Sequence, residues 1–344
     1  MEYKVTWKSP SNIALVKYWG KYGVQIPKNP SLSITLEEAF TRTTVALEKK
    51  RSKKVSCSLL FEGNAKPQFE EKISGYLNSI KDDFPFLQQY HLHIESGNSF
   101  PHSSGIASSA SSMSALALCI CTLHTMTGGK PPKDFLGNAS NYARLGSGSA
   151  CRSIYPEFSI WGKVAGIESS SNKMAIAHPV EYHKDFTDIQ DTILIVSKKE
   201  KEVSSRAGHD LMNHHPMASI RFRNARQRLN TLLEVLKAGD WSEFIEIAEA
   251  EALELHSLMM SSSPSFLLLE PNTVAIIKAI RAFRERTKLP VGFTLDAGPN
   301  VHVLYPYFEK RKVRNFIQKE LLPLCENQVA IYDHMGRGPL QELA

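Results

Sequence analysis

The sequence predicts an α+β protein of two domains, on the grounds of its length, its early strand-like runs and its later helical runs. The chain has 344 residues, of which 42% are hydrophobic and 22% charged, a composition that suits a globular protein with room for two medium domains. Alternating and β-branched residues concentrate near the start, whereas helical spacing dominates later. We expect domains at residues 1–187 and 188–344, divided near the polar segment 181–190.

The first domain opens with a sheet. Its strand-like runs are YKVTWKS, SLSITL, RTTVALE, KKVSCSLLF and HLHIES, which together predict a mostly antiparallel arrangement. Helical spacing then predicts helices at residues 70–83, 108–125 and 133–146. The third follows Pro131 and Pro132 and ends at Gly146, as helix start and stop signals require. Short strands at 158–163 and 174–179 complete this domain.

The second domain is predicted to be an α+β unit of its own. A strand at 191–197 precedes long helical patterns at residues 217–238, 241–260 and 273–287. The segment GFTLDAGPNVHVLYP is typical of a strand, a turn and a second strand. A last helix at 309–322 and a strand at 328–333 finish the chain.

Composition excludes several classes of protein. No secretory signal pattern opens the sequence and no apolar run approaches the roughly 20 residues of a membrane helix, so we expect a cytoplasmic protein with no membrane partner. The net charge of +6 suits anionic ligands. The basic clusters at 49–54 and 221–228 lack interleaved aromatics and are predicted to be a solvated hairpin and a solvated helix face, which argues against nucleic acid. The five cysteines form no CxxC pair and are expected to be reduced core thiols.

The serine-rich segment PHSSGIASSAS, residues 101–111, is a candidate phosphate site. Small residues before a helix let an anion approach the free backbone N–H groups, and serine hydroxyls add donors. The segment has neither a GKS ending nor a GxGxxG pattern, so a plain serine-rich helix cap is an equal alternative.

Three further stretches carry residues suited to chemistry. In GSGSACRS, residues 146–153, Arg152 has the planar fork that binds phosphate, although a helix end with a surface arginine fits equally. NIALVKYWGK places Asn12, Lys17 and Tyr18 where they could meet one ligand, yet a strand with solvated lysines is the simpler interpretation. In TLDAGPN, Asp296 is more often a turn former than a base.

In this order, NIALVKYWGK, the FPxxxGIASSAS loop, GSGSACRS and TLDAGPN resemble the diphosphomevalonate decarboxylases of the GHMP kinase superfamily, over about residues 5–340. The resemblance implies an N-terminal domain like ribosomal protein S5 domain 2, a ferredoxin-like C-terminal domain and an active site between them. It implies conversion of mevalonate 5-diphosphate and ATP into isopentenyl diphosphate, ADP, phosphate and CO₂, with Mg²⁺ held mainly by phosphate oxygens and water rather than by a protein metal site. It also implies a homodimer.

The resemblance assigns roles residue by residue. Asp296 would accept or orient the proton of the 3-hydroxyl, Lys17 would stabilise the developing negative charge, and Ser109 would reach toward the γ-phosphate. The implied substrate contacts are Asn12, Tyr18, Trp19, Gly20, Lys21, Ser147, Gly148, Ser149, Ala150, Cys151, Arg152 and Arg206. Arg152 would hold the carboxylate or phosphate end of the substrate, with Asn12 bonding to it and orienting it. The implied ATP contacts are Pro101, Ser103, Ser104, Gly105, Ala107, Ser108, Ser109 and Ser112.

Departures from the family pattern leave the 5-substituent open. FEGNAKPQFEEK offers only Lys66 and Lys72 where family members carry a diphosphate-gripping arginine, and Arg206 is a candidate source of the missing charge. His102 and the pair Ser103 and Ser104 also depart from the usual loop. The alternatives are a decarboxylase of mevalonate 5-phosphate, an enzyme that stops after 3-phosphorylation, and a non-catalytic GHMP-fold binding protein. Retention of Lys17 and Asp296 argues against the last two.

Overall fold

In a computed structural model the described residues are 3–101, 108–179, 181–199 and 205–342. Within them the strands are β1 Tyr3–Val16, β2 Lys21–Tyr22, β3 Ile26–Pro27, β4 Ser31–Lys49, β5 Ser56–Phe61, β6 Asn64–Ala65, β7 Tyr90–Asn98, β8 Phe158–Trp161, β9 Ala175–Ala177, β10 Ile189–Leu194, β11 Gly292–Thr294, β12 Val301–Pro306, β13 Ala330–His334 and β14 Leu340–Glu342. The helices are α1 Pro67–Ser79, α2 Ser108–Met126, α3 Phe135–Gly146, α4 Ser205–Leu211, α5 Ala218–Ala238, α6 Trp241–Met260, α7 Pro271–Thr287 and α8 Lys310–Phe316. The predicted α+β class is confirmed.

The larger sheet follows the order β14-β1-β4-β7-β5-β6, with β8 and β9 attached through β4. Every pairing in it is antiparallel except β5 with β7, so the predicted arrangement is confirmed. The runs SLSITL and RTTVALE form one long strand, β4, whose first part pairs with β8 and whose second part pairs with β7. The register of β1 on β4 shifts twice, between Pro10 and Asn12 and between Ala14 and Val16. Such irregularities re-aim a strand, and here they come just before Lys17.

Helix α2 packs on the inner face of this sheet. By length and hydropathy alone it could cross a membrane, contrary to the expectation from the sequence. However, 61% of its apolar window is buried inside the protein, which is the pattern of a core helix. Cys119 and Cys121 are buried in the surrounding apolar cluster with Leu116 and Leu123, and every cysteine of the chain is free, as predicted.

The smaller sheet has the order β11-β12-β10-β13 and is antiparallel throughout. One hydrophobic cluster joins the two halves of the chain, because Leu15 and Ile34 of the larger sheet pack with Leu232 of α5 and Phe244 of α6. Burial of each such side chain is worth about 1.5–3 kcal/mol. The end of β1 is therefore fixed against α5 and α6.

Several boundaries differ from prediction. Helix α1 begins at Pro67 rather than residue 70, because proline favours the first helical position. The predicted last helix is α-helical only over α8 and continues as π and 3-10 turns to Leu324. The short strand β14 returns to pair with β1, which no sequence pattern indicated.

Candidate active site

A cavity of about 860 Å³ lies where the four sequence motifs meet. Lys17, Ser109, Arg152 and Asp296 all line it, although they are far apart along the chain. The structure therefore brings together residues that the sequence alone could only suggest one at a time.

Lys17 and Asp296 form the ion pair at the centre of the cleft. Lys17 follows β1 and is only 2% exposed, while the Asp296 side chain is 27% exposed; Nζ lies 3.1 Å from Oδ1. Burial lowers the pKa of Lys17, and the Asp296 carboxylate partly offsets that effect. The interpretation of Lys17 as a solvated strand lysine is wrong.

Asp296 lies in the turn after β11. Its backbone carbonyl accepts a hydrogen bond from His256 Nε2 at 3.0 Å and one from the Gly298 N–H at 2.7 Å. The turn-forming interpretation of this residue is confirmed by its backbone contacts. Its side chain also meets Lys17 in the cleft, and its catalytic role stays a prediction.

A buried charge cluster clamps the backbone of Lys17. The Lys17 N–H donates to Glu251 Oε2 at 2.8 Å, and Arg221 Nη2 donates to the Lys17 carbonyl at 3.0 Å. Arg221 and Glu251 pair at 2.6 Å with neither side chain exposed, and Arg228 also reaches Glu251. Burial opposes the charged carboxylate, yet Arg221 and Arg228 hold the pKa of Glu251 below its ordinary value.

This cluster corrects the interpretation of residues 221–228 as a solvated face. Arg221 lies on the same side of α5 as Ala225, Leu229 and Leu232, all of which are buried against the rest of the protein. Sequence reasoning missed it because buried and exposed arginines look alike until a carboxylate partner is known. The acidic residues of α6 are the signal that could have been used.

Arg152 is held rigidly in the wall of the cleft. It is 3% exposed and lies in the 3-10 turn Gly148–Ile154. Nε donates to Asn12 Oδ1 at 3.3 Å and to Ser33 Oγ at 3.1 Å, and Nη1 donates to Ser31 Oγ at 2.9 Å. Among the described residues no carboxylate forms an ion pair with it. A buried guanidinium held only by neutral acceptors is suited to an anionic ligand.

Asn12 orients Arg152 as expected from the resemblance. Its amide donates to Ser153 Oγ at 2.7 Å and to the Ser149 carbonyl at 3.2 Å, which leaves its oxygen facing the guanidinium. The alternative of a surface arginine is therefore wrong.

Aromatic rings form the adjoining wall. The ring centroid of Tyr18 lies 4.6 Å from that of Trp161 and 4.2 Å from that of His209. The Trp19 ring also packs against His209, with 4.7 Å between centroids. Gly20 has φ +95°, and a Cβ there would lie 2.9 Å from the Phe222 ring, so only glycine fits.

Not every predicted substrate residue lines the cleft. Tyr18, Trp19, Lys21, Ser147, Gly148, Ser149 and Arg152 do line it. The side chains of Ala150 and Cys151 are fully buried, and Cys151 Sγ donates to the Gly148 carbonyl at 3.0 Å. Together with Asn12 and Gly20, these residues support the wall from behind rather than forming its surface.

The serines at the start of α2 fall into two groups. Ser108, Ser109 and Ser112 line the cleft, and Ser109 Oγ lies 3.4 Å from Ser147 Oγ. Ser111 and Ser114 are buried against the sheet. Pro101 is half-buried just before this segment.

Some predicted residues lie outside the described part of the chain. They are His102, Ser103, Ser104, Gly105 and Ala107, and the side chain of Arg206 belongs with them. Their implied roles stay predictions. Lys72 lines the cavity, whereas Lys66 is exposed beside α1 and does not.

His209 is a further cleft residue that sequence reasoning missed. It lies on α4 and lines the cleft, and its Nδ1 accepts a hydrogen bond from the Gly20 N–H at 3.0 Å. Its place in VSSRAGHD, three residues along the sequence from the candidate Arg206, is the signal that could have found it.

Family comparisons decide the relationship. Residues 9–173 match the model described as diphosphomevalonate decarboxylase-like N-terminal domain, and residues 192–338 match the mevalonate 5-diphosphate decarboxylase C-terminal domain. The diphosphomevalonate decarboxylase of Gibberella zeae is 30% identical, over 88% of this chain and 81% of the relative. The chain belongs to the diphosphomevalonate decarboxylase family.

Solved structures of the family share the fold. The structure described as MDDEF in complex with MVAPP, AMPPCP and magnesium has a TM-score of 0.85 and 27% identity, over 99% of both chains. A mevalonate diphosphate decarboxylase from Staphylococcus aureus has a TM-score of 0.84 and 28% identity, over 99% of this chain and 98% of that one. The family's two-domain GHMP kinase-like fold is thus confirmed here, while the division at residues 187 and 188 stays a prediction.

Proposed function

We propose that the protein converts mevalonate 5-diphosphate and ATP into isopentenyl diphosphate, ADP, phosphate and CO₂. The observation that carries this proposal is the 3.1 Å contact of Lys17 Nζ with Asp296 Oδ1 in the same cleft as Arg152 and the first turn of α2. Membership of the decarboxylase family supports it further.

The ion pair suits the first chemical step. A tertiary hydroxyl placed at the exposed edge of Asp296 gives its proton to the carboxylate while its oxygen attacks the γ-phosphorus and ADP leaves. Lys17 keeps Asp296 oriented and places a positive charge beside the forming 3-phosphate.

The second step needs charge stabilisation more than proton transfer. The C–O bond to the 3-phosphate breaks, and phosphate takes the electron pair, which leaves a cation-like carbon. The bond to the carboxylate then breaks, CO₂ leaves, and its electrons form the double bond. Lys17 stabilises the departing phosphate, and Arg152, fixed by Asn12 and Ser33, is positioned to hold an anionic end of the substrate.

Helix α2 supplies the nucleotide end of the cleft. The free N–H groups of its first turn and the hydroxyls of Ser108, Ser109 and Ser112 suit phosphate oxygens. Beyond them the cleft has apolar walls that include Phe61, Phe69 and Ile73, which fit a flat purine base. The solved relative with AMPPCP and magnesium supports ATP and Mg²⁺ as cofactors.

The donor set at that end fits a magnesium ion that arrives with the nucleotide. Among the described residues no three His, Cys, Asp or Glu side chains are grouped to hold a metal. Serine hydroxyls and phosphate oxygens are hard oxygen ligands, and Ser109 is the side chain placed to contribute one. When bound, Mg²⁺ would neutralise negative charge on the phosphate groups.

We also infer a cytoplasmic homodimer without a nucleic-acid or membrane partner. The family resemblance supports the dimer. The pairing of Arg221 and Arg228 with Glu251 and Glu254 supports the absence of a nucleic-acid partner, because it neutralises two of the four arginines in the cluster at 221–228. Light scattering would test the dimer, and a monomeric mass across micromolar concentrations would contradict it.

Incubation with ATP, Mg²⁺ and each of mevalonate, its 5-phosphate and its 5-diphosphate tests the substrate. We expect ADP and CO₂ from the 5-diphosphate and much slower turnover of the other two. ADP without CO₂ would contradict the decarboxylase function. Equal turnover of the 5-phosphate would contradict the diphosphate assignment.

A further inference from the structure

His209 is a buried imidazole in the wall of the cleft that the chemistry above does not use. It is 8% exposed and is packed between the rings of Tyr18 and Trp19, at 4.2 and 4.7 Å between centroids. Its position is further fixed by the hydrogen bond between its Nδ1 and the Gly20 N–H. The ring cannot rotate without losing that bond.

The hydrogen bond to Gly20 determines which ring nitrogen carries the proton. A backbone N–H can only donate, so Nδ1 must present its lone pair. The proton of the neutral ring is then on Nε2. No described residue accepts a hydrogen bond from Nε2, and the imidazole lines the cleft.

The surroundings keep this ring neutral. Burial, with the nearby positive charges of Lys21 and Arg152, lowers the pKa of His209 to about 3. At neutral pH this part of the cleft therefore presents the cations of Lys21 and Arg152 and one uncharged N–H donor. A third positive charge in this position would be repelled by the other two, whereas a neutral donor adds a hydrogen bond without that cost.

We propose that His209 is a specificity residue that donates Nε2–H to the phosphate end of the substrate, beside Lys21 and Arg152. The proposal rests on the function proposed above. A fixed donor in this position strengthens the binding of a ligand that has a phosphate oxygen within hydrogen-bond distance. The contribution of His209 therefore appears in substrate binding rather than in the bond-breaking steps. It also supplies a phosphate contact in a chain that lacks the family's arginine near Lys66.

Two variants separate the donor from the packing role. In His209→Asn the side-chain oxygen can replace Nδ1 as the acceptor for Gly20, but the Nε2 donor is lost. In His209→Gln the amide N–H lies near the position of Nε2, so the donor is kept. We expect Asn to raise the KM for mevalonate 5-diphosphate about tenfold with a much smaller change in kcat, and Gln to recover most of the affinity.

A structural role would give the opposite order. If His209 only packs and anchors Gly20, Asn will be the milder variant, and Gln will lower stability and kcat together. That order, or an unchanged KM in His209→Asn, would overturn the proposal. Thermal unfolding of both variants shows whether each is folded under the assay conditions.

Binding of inorganic pyrophosphate distinguishes this proposal from the proposed function, because it needs no turnover. Calorimetry should show binding about tenfold weaker in His209→Asn than in the wild type. In wild-type protein labelled with ¹⁵N at histidine, the Nε2 proton should shift when pyrophosphate is added, and this needs no variant. An unmoved Nε2 proton at saturating pyrophosphate would overturn the proposal. Absence of CO₂ from the wild type would instead count against the decarboxylase function alone.

Discussion

At the scale of single residues, the site depends on charged side chains that are buried. Lys17 is buried yet faces Asp296 at 3.1 Å, and Arg152 is buried with only neutral acceptors around it. Sequence motifs indicated each of these residues. They could not show that His209 would join them, because that contact depends on tertiary packing.

Replacement of Asp296 by Asn should remove most turnover. The amide keeps the size of the side chain but cannot take a proton, so kcat should fall by about 10²–10⁴-fold. Substrate binding measured by calorimetry should change little. Near-normal kcat in this variant would exclude Asp296 as the proton acceptor.

Activity should fall at alkaline pH because Lys17 must stay charged. Burial lowers its pKa below the ordinary 10.5, so the proton is lost, and kcat declines, at a pH below that value. Lys17→Arg should lose this alkaline decline even if its kcat is low throughout, since a guanidinium stays charged. The comparison requires kcat against pH for both proteins; identical alkaline limbs would assign the ionisation to another group.

Arg152→Gln should weaken binding of the substrate. It removes a charge-assisted hydrogen-bond donor, so KM should rise roughly 10- to 100-fold. Arg42→Gln is a suitable control, because Arg42 is exposed and its ion pair within the described part of the chain is with Glu342 alone. Equal KM values for the two variants would mean that Arg152 does not contact the substrate.

At the scale of elements, the periodicity of the sequence predicted which segments are strands and which are helices. It did not predict how those elements pair with one another. Alternation indicated β1, β5 and β7, and helical spacing indicated α2, α5 and α6. The strand β14 has only three residues and no pattern of its own, so its pairing with β1 could not be predicted. The burial of Arg221 on α5 was missed because it is stabilised by Glu251 on the next helix.

Glu251→Gln should destabilise the protein by about 3–5 kcal/mol, because it leaves Arg221 buried without its main partner. Urea unfolding measures this loss, and kcat should fall as well, since the Lys17 N–H loses its carboxylate acceptor. Glu234→Gln on the exposed face of α5 is the matched control and should lose at most about 0.5 kcal/mol. Equal losses of unfolding free energy in the two variants would contradict the stabilising role of the buried charge cluster.

The same cluster gives a pH dependence of stability. The folded protein holds the pKa of Glu251 below the ordinary 4.5, so its stabilisation is present above that value and is lost as the pH falls through the folded-state pKa. Unfolding experiments below pH 4.5 should therefore show a steeper loss in the wild type than in Glu251→Gln.

At the scale of the whole molecule, two sheets share one apolar cluster around the end of β1. Leu15 and Ile34 pack with residues of α5 and α6, and β14 joins the end of the chain to its beginning. The order of four motifs along the sequence was sufficient to predict the family and the fold. The cleft itself required the tertiary structure, because its walls come from elements up to about 280 residues apart, as in the pair of Lys17 and Asp296.

The most direct test of the central claim is the stoichiometry of products from mevalonate 5-diphosphate labelled in its carboxyl group. With ATP and Mg²⁺ present, the protein should release one labelled CO₂ for each ADP, and Asp296→Asn should suppress both products together. Labelled CO₂ formed without ATP, or ADP formed without labelled CO₂, would contradict the account.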